Sequence, residues 1–188
     1  MIRTCCIILL FLLPGVVSAQ KSSLEFNEVR LPKNFPAYNI RFAEQDEAGL
    51  LWFVSGNGLY RFDGNHLLHF GLRSNPALPS FPVTAMKAGL DGSLWLGFRN
   101  GAARFDLKNW CIEQVFAADW DSPEPRDRNI CTIYRSPGGK VYFGTESGKL
   151  FVFEEGMLEL VLDMTGIYRQ SGRFAGIMTI QEPYPGEL

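Results

Sequence analysis

Histidine is nearly absent from this chain: among 188 residues only His66 and His69 carry an imidazole. That scarcity removes most proton chemistry near neutral pH and most imidazole metal ligation. Three positions apart on an extended segment, the two rings face opposite ways. They make no metal pair and read as partly exposed strand positions. Basic blocks are absent too: Lys and Arg number 18 against 20 Asp and Glu, a net charge of −2. Without a positive footprint, neither nucleic acid nor an anionic membrane is an expected partner. No nucleophile elbow, zinc motif, calcium loop or phosphate loop occurs. No catalytic, cofactor-binding or metal residue is therefore assigned, and no cofactor is expected. Sustained helical periodicity is missing from the whole segment after residue 19.

One apolar run stands out, at residues 5–13. Arg3 precedes it, Pro14 and Gly15 break it, and the small residues Val17, Ser18 and Ala19 lead into Gln20. A basic start, a short apolar centre and a small-residue site are the parts of a secretory signal peptide. The run is too short for the ~20 apolar residues a membrane-spanning helix needs. Residues 1–19 are therefore set aside as a signal peptide cleaved between Ala19 and Gln20. Residues 20–188 are expected to be exported to the periplasm, with no later stretch long enough to cross a bilayer.

The exported part repeats itself. Leu51, Trp52, Phe53 and Val54 are followed by Gly58, Leu59, Tyr60, Arg61, Phe62 and Asp63. The phrase returns as Leu94, Trp95, Leu96 and Gly97, then Gly101, Ala102, Ala103, Arg104, Phe105 and Asp106. A looser copy runs Val141, Tyr142, Phe143 and Gly144, then Gly148, Lys149, Leu150, Phe151, Val152, Phe153 and Glu154. The anchors Trp52, Trp95 and Tyr142 are spaced 43 and 47 positions apart. Glycine-bearing turns divide each unit into four short strands, with Asn57–Gly58 and Asn100–Gly101 placed where hairpins need φ > 0. A repeat of ~40–45 residues with four strands per unit is a β-propeller blade.

The expected fold is all-β: about three and a half four-stranded antiparallel blades of an incomplete ring. The divisions are 38–70 for blade 1, 82–116 for blade 2, 129–162 for blade 3 and 176–188 for the start of blade 4. Residues 24–30 read as an orphan outer strand, because Phe26 precedes Ile40 by the same step that separates successive blades. The chain is thus expected to be the front part of a larger protein, and its open blade faces to make 20–188 a poor folding unit alone. Trp52, Trp95 and Tyr142 read as wedges between adjacent sheets, and Arg61 and Arg104 as structural. Cys111 and Cys131 fall in a last and a first strand, too far apart for a disulfide. Carboxylate pairs such as Glu44 with Asp46, or Glu154 with Glu155, sit at strand ends, and nothing selects one for glycosidase chemistry. The most distinctive loop is 119–127, acidic, with Trp120 and two prolines. It is either a solvated connector or the lining of a binding face.

The elements Asp46, Gly49, Leu51, Trp52, Gly58, Leu59, Arg61, Phe62, Asp63 and Gly64 resemble the two-component regulator propeller repeat. The second copy uses Asp91, Gly92, Leu94, Trp95, Gly97, Gly101, Arg104, Phe105 and Asp106. The third has Tyr142 for the tryptophan and Glu154 for the aspartate, while Gly144 and Thr145 fit. The resemblance covers nearly all of 24–188. It implies an exported sensor domain, in a family whose members commonly carry two seven-bladed propellers, an immunoglobulin-like domain, a membrane helix and a histidine kinase. It further implies a carbohydrate or other small exported ligand, the remaining blades of the parent and a homodimer of the full-length sensor as partners. No ligand-binding residue can be carried over. Two other readings stay open on the sequence: a fragment of a secreted propeller enzyme acting on polysaccharide, and a free-standing propeller scaffold.

Overall fold

Short runs of aromatic and branched residues, cut by glycine turns every few positions, favour sheets made of sequence neighbours. In the computed structural model, which describes residues 32–33, 35, 39–114, 124–167 and 176–181, they form three such sheets. Blade 1 is β1 (Phe42–Gln45), β2 (Leu51–Ser55), β3 (Gly58–Phe62) and β4 (Leu67–Phe70). Blade 2 is β5 (Val83–Ala88), β6 (Ser93–Phe98), β7 (Gly101–Asp106) and β8 (Cys111–Gln114). Blade 3 is β9 (Ile130–Arg135), β10 (Val141–Thr145), β11 (Lys149–Glu154) and β12 (Met157–Asp163). Each sheet is an antiparallel meander in strand order, and the first strands β1, β5 and β9 lie against one another at the inner edge of the arc. The all-β blade architecture expected from the repeat is what the chain adopts. Residues 1–19, the strand expected at 24–30 and the end of the chain at 182–188 lie outside the described residues.

The tight hairpins differ from the expectation in one detail. Ser55 pairs with Gly58 and Phe98 with Gly101, so the two-residue turns are Gly56–Asn57 and Arg99–Asn100. The positive φ belongs to the glycine that follows each turn, Gly58 at 142° and Gly101 at 133°. Gly58 is doubly constrained: a Cβ there would lie 2.5 Å from the Phe70 carbonyl oxygen. The sequence expectation also began the first strand of blade 1, within 38–70, at Ile40. The strand starts at Phe42, although the Arg41 amide still donates to the Val54 carbonyl at 2.8 Å.

Side-chain alternation gives every sheet two faces, and the repeat decides which face meets which neighbour. Leu94, Leu96 and Phe105 of blade 2 form one core with Trp52, Val54, Leu59 and Phe70 of blade 1. Trp95 and Ala102 turn the other way and form a second core with Ile133, Val141 and Phe143 of blade 3. Trp52 and Trp95 are therefore wedges, as expected, while the half-buried Tyr142 ring lies 6.2 Å from Tyr134 of its own blade. The Trp52 ring meets Phe105 of blade 2 at 5.7 Å, and Trp95 meets Phe143 and Phe153 of blade 3 at 5.7 and 5.0 Å. Sandwiched between two blades, β6 is buried at every residue.

A second contact runs backwards. Two positions beyond Trp95, Gly97 leaves a seat for Ile130, the first residue of blade 3; an added Cβ would stand 2.8 Å from Ile130 Cγ2. Gly144, two positions beyond Tyr142, receives Ile177 in the same way, with Cγ2 2.7 Å from that virtual Cβ. The Ile177 amide donates to the Thr145 carbonyl at 2.9 Å. Residues 176–181 thus lie on blade 3 where a following blade would begin, without being a strand. At the other end Phe35, 7% exposed, covers blade 1 with its ring 5.2 Å from Phe53 and 6.2 Å from Tyr60.

Candidate functional site

Propeller blades offer two rims. One carries the turns between first and second strands and between third and fourth. Its carboxylates are engaged in the fold. Asp46 accepts the amides of Ala48 at 3.0 Å and Leu50 at 2.9 Å through Oδ1, while Oδ2 takes the Trp52 indole N–H at 2.8 Å. One side chain thus closes the turn and fixes the wedge. Glu44 reaches across to Lys87 of blade 2 at 2.9 Å, so Glu44 and Asp46 are not poised against each other as acid and base. Asp63 accepts the amides of Asn65 and His66, and the His66 backbone N–H, then that of Asn65, lowers its pKa to about 2. Asp91 is opposed by burial, yet the Ser93 hydroxyl and the Arg104 guanidinium hold its carboxyl below the ordinary range. Asp106 is lowered by the Asn109 amide and side chain and the Lys108 amide. Glu154 pairs with Lys140 at 2.9 Å.

Arg104 is structural, as the repeat implied, and Arg61 is too, by another route. Its guanidinium lies 4.8 Å from the centre of the Trp110 ring, which stacks on Phe70 at 5.7 Å. Trp110 belongs to the turn before β8, so it clamps blade 2 onto blade 1. The histidines are separated as expected, although His66 stands in the turn before β4 and not on a strand. Its Nδ1 is 3.3 Å from Asp63, whereas His69, on β4, stacks on Tyr60 at 4.7 Å. Cys111 and Cys131 are free thiols, and burial pushes the Cys131 thiol up, with the Glu146 charge adding to it. Among the described residues, no three His, Cys, Asp or Glu side chains gather as a metal site.

The opposite rim carries the turns between second and third strands and the connections between blades. Of the loop 119–127, residues 119–123 lie outside the described residues, Trp120 among them. The rest forms a single 3-10 turn, Pro125–Asp127. Asp127 is not solvated there. It is buried and paired with Lys149 Nζ at 2.5 Å, which ties the connection to β11. Beside it the Asn129 side-chain amide donates to Glu146.

The connection between blades 1 and 2 leaves a hollow of about 560 Å³. Its walls are the Gly56–Asn57 turn, His69 at the end of β4, and Leu72, Arg73 and Phe81 of the connection. Sequence reasoning noted Asn57 only as a hairpin residue and His69 only as a strand position, and it did not single out Leu72, Arg73 or Phe81, because the connection has no fixed phrase in the repeat. A partial signal existed: Leu78 and Pro79 stand 43 positions after Phe35 and Pro36. Leu78, like Phe35, is a buried anchor shortly before a blade, five residues ahead of β5 where Phe35 is seven ahead of β1.

No protein-family model and no curated protein matches the chain. Solved structures do. The extracellular domain of a B. thetaiotaomicron protein assigned as a one-component system matches with TM-score 0.56 and 23% identity, over 74% of this chain. That of a B. thetaiotaomicron protein assigned as a hybrid two-component system matches with TM-score 0.52 and 20% identity, over 65% of this chain. The matches span only 18% and 16% of those two domains. Likeness at this identity is likeness of fold. The chain has the blade fold found in extracellular domains of one- and two-component systems, the class of protein that its repeat phrase resembles.

Proposed function

We propose that this chain is part of an exported sensing propeller of a two-component signalling protein, one that binds a small ligand and relays its presence without catalysis. The observation that carries this reading is the blade fold shared with extracellular domains of such systems. The signal-peptide pattern of residues 1–19 supports a periplasmic location, with the parent anchored in the inner membrane by a later segment. The engaged carboxylates of the turn rim speak against glycosidase chemistry there, since Asp46 holds Trp52 and Glu44 holds Lys87. On this reading the partners are a carbohydrate or other small exported solute, the remaining blades of the parent and a second copy of the full-length sensor. Replacing Trp95 by Ala in the native gene tests it. Transcription of the genes under the parent's control, followed on a panel of exported saccharides, should lose one inducible response. Retained induction, or cleavage of a polysaccharide by the purified chain, would overturn the proposal.

A further inference from the structure

We propose that the hollow between blades 1 and 2 is a binding site for a small organic carboxylate, whose charge Arg73 holds and whose apolar body lies between Leu72 and Phe81. The proposal deepens the sensing reading and rests on it for its biological meaning.

The walls of the hollow are firmly built. Ser74 Oγ accepts the Gly71 amide at 2.9 Å and lies 2.8 Å from the carbonyls of Gly71 and Pro76, to which it donates. The Leu78 amide closes the same loop onto the Gly71 carbonyl at 2.9 Å, and its side chain is buried in the core between the two blades. On the facing wall His69 Nε2 is 2.9 Å from the Asn57 carbonyl, and its ring is stacked on Tyr60. A loop held at both ends presents its intervening side chains in a fixed place, which is the preorganisation a binding site needs.

The side chains it presents have no structural employment. Leu72 is 58% exposed and Phe81 39%, both bordering the hollow. Arg73 is exposed and its side chain has no ion pair or hydrogen bond among the described residues; Arg99 and Lys108 share that state, but Arg73 is the one that borders the hollow. Among the described residues, no acidic side chain lines the hollow. A cation without a counterion, set between two apolar side chains, matches a ligand that brings the missing charge on an apolar or flat body. A guanidinium offers a planar fork that fits a carboxylate with two parallel hydrogen bonds. A volume of about 560 Å³ falls within the ~300–1,000 Å³ of small-molecule sites.

The test is titration of the full chain with phenylacetate and its neutral counterpart 2-phenylethanol, followed by two-dimensional NMR. Phenylacetate should move the Arg73 and Ser74 amides and the Phe81 ring. Arg73→Gln, which keeps donors and loses the charge, should weaken phenylacetate about tenfold, or ~1.4 kcal/mol. Arg73→Lys should recover part of the loss, and 2-phenylethanol should not distinguish the variants. Since Arg73 has no partner among the described residues, these variants should keep the parent spectrum elsewhere. Shifts confined to another surface, equal binding of acid and alcohol, or unchanged affinity in Arg73→Gln would overturn the site. A parent sensor whose ligand response survives Arg73→Gln would also overturn it while leaving sensing intact. Phenylacetate shifts at Arg73 in a parent with no ligand response would support the site and overturn the sensing reading.

Discussion

Replacing Gly97 by Ala tests whether blades are spaced by the seat that glycine leaves. The new Cβ would stand 2.8 Å from Ile130 Cγ2, 3.0 Å from Ile130 Cβ and 3.1 Å from Ala85 Cβ. Carbon atoms prefer ~3.5–4.0 Å, so β6 and β9 must part by several tenths of an ångström. The contacted atoms are the root of Ile130, not a flexible tip, and Ile130 is fully buried. Overpacking of this kind costs ~1–3 kcal/mol, and the rigid neighbour favours the upper half of that range. An opposing effect is smaller. Gly97 has no positive φ, so alanine fits the backbone and restricts the unfolded chain, a gain of ~0.4–1 kcal/mol. The net expectation is a loss of about 1–2 kcal/mol, read from urea unfolding followed by tryptophan fluorescence. Ile130→Ala alone should cost ~2–5 kcal/mol. Combined, the two should be less destabilising than their sum by about 1–2 kcal/mol, because Ile130→Ala removes the Cγ2 that the new methyl strikes. Neutral or stabilising behaviour of Gly97→Ala, or strict additivity in the cycle, would refute the seat as the element that sets blade spacing.

Asp127→Ala should destabilise by about 2 kcal/mol in the same unfolding assay. That is less than the ~3–5 kcal/mol for a fully buried pair, since Lys149 keeps part of its contact with solvent. A change below ~0.5 kcal/mol would show that the connection is not anchored by this pair. Asp63 supplies a pH dependence of known sign: its pKa falls from the ordinary 3.8 to about 2 on folding. Its contribution is therefore full above pH ~4 and lost as the pH drops through about 2. The Asp63 carboxyl carbon resonance should titrate near 2, and a midpoint close to 3.8 would contradict the two amide hydrogen bonds assigned to it.

The blades were legible because their signals are local and repeated. Trp52, Trp95 and Tyr142 mark the second strand of each unit, and a glycine near each turn marks its end, so strand number and order follow from spacing. The wedge role of Trp52 and Trp95 was legible for the same reason: a residue that recurs at one place in successive units meets the next blade in the same way. What escaped was set by contacts between units. Nothing around Trp110 announces that its ring will cross to Arg61, since the corresponding turn of blade 1, after Asp63, carries no tryptophan. Asp127 reads as part of an acidic, proline-rich connector, and only the arrival of Lys149 from β11 explains its burial. His66 was placed on a strand because the apolar run begins beside it, but hydrogen bonds to Asp63 hold it in the turn. The hollow at Arg73 was hidden because one of its walls is a connection that the repeat does not specify.

The forward wedge and the backward seat together give the arc a direction. Blades 1 and 2 each push an aromatic ring into the next blade, and blades 2 and 3 each take an aliphatic residue of the following segment beside a glycine, the place that Val54 holds in blade 1. A blade's two faces are thus as unlike as the two ends of a hook and an eye. Mirror-wise pairing of like faces is disfavoured, and blades can add only head to tail. A stretch of sequence running from one anchor to the next carries one complete joint. Duplication of such a stretch would insert a blade without disturbing any existing joint, and deletion would close the gap with a joint of the same kind. Blade number is consequently not written in any single unit. It is set by the angle at which successive joints turn, the property that lets one short phrase, copied along a gene, build rings of different sizes.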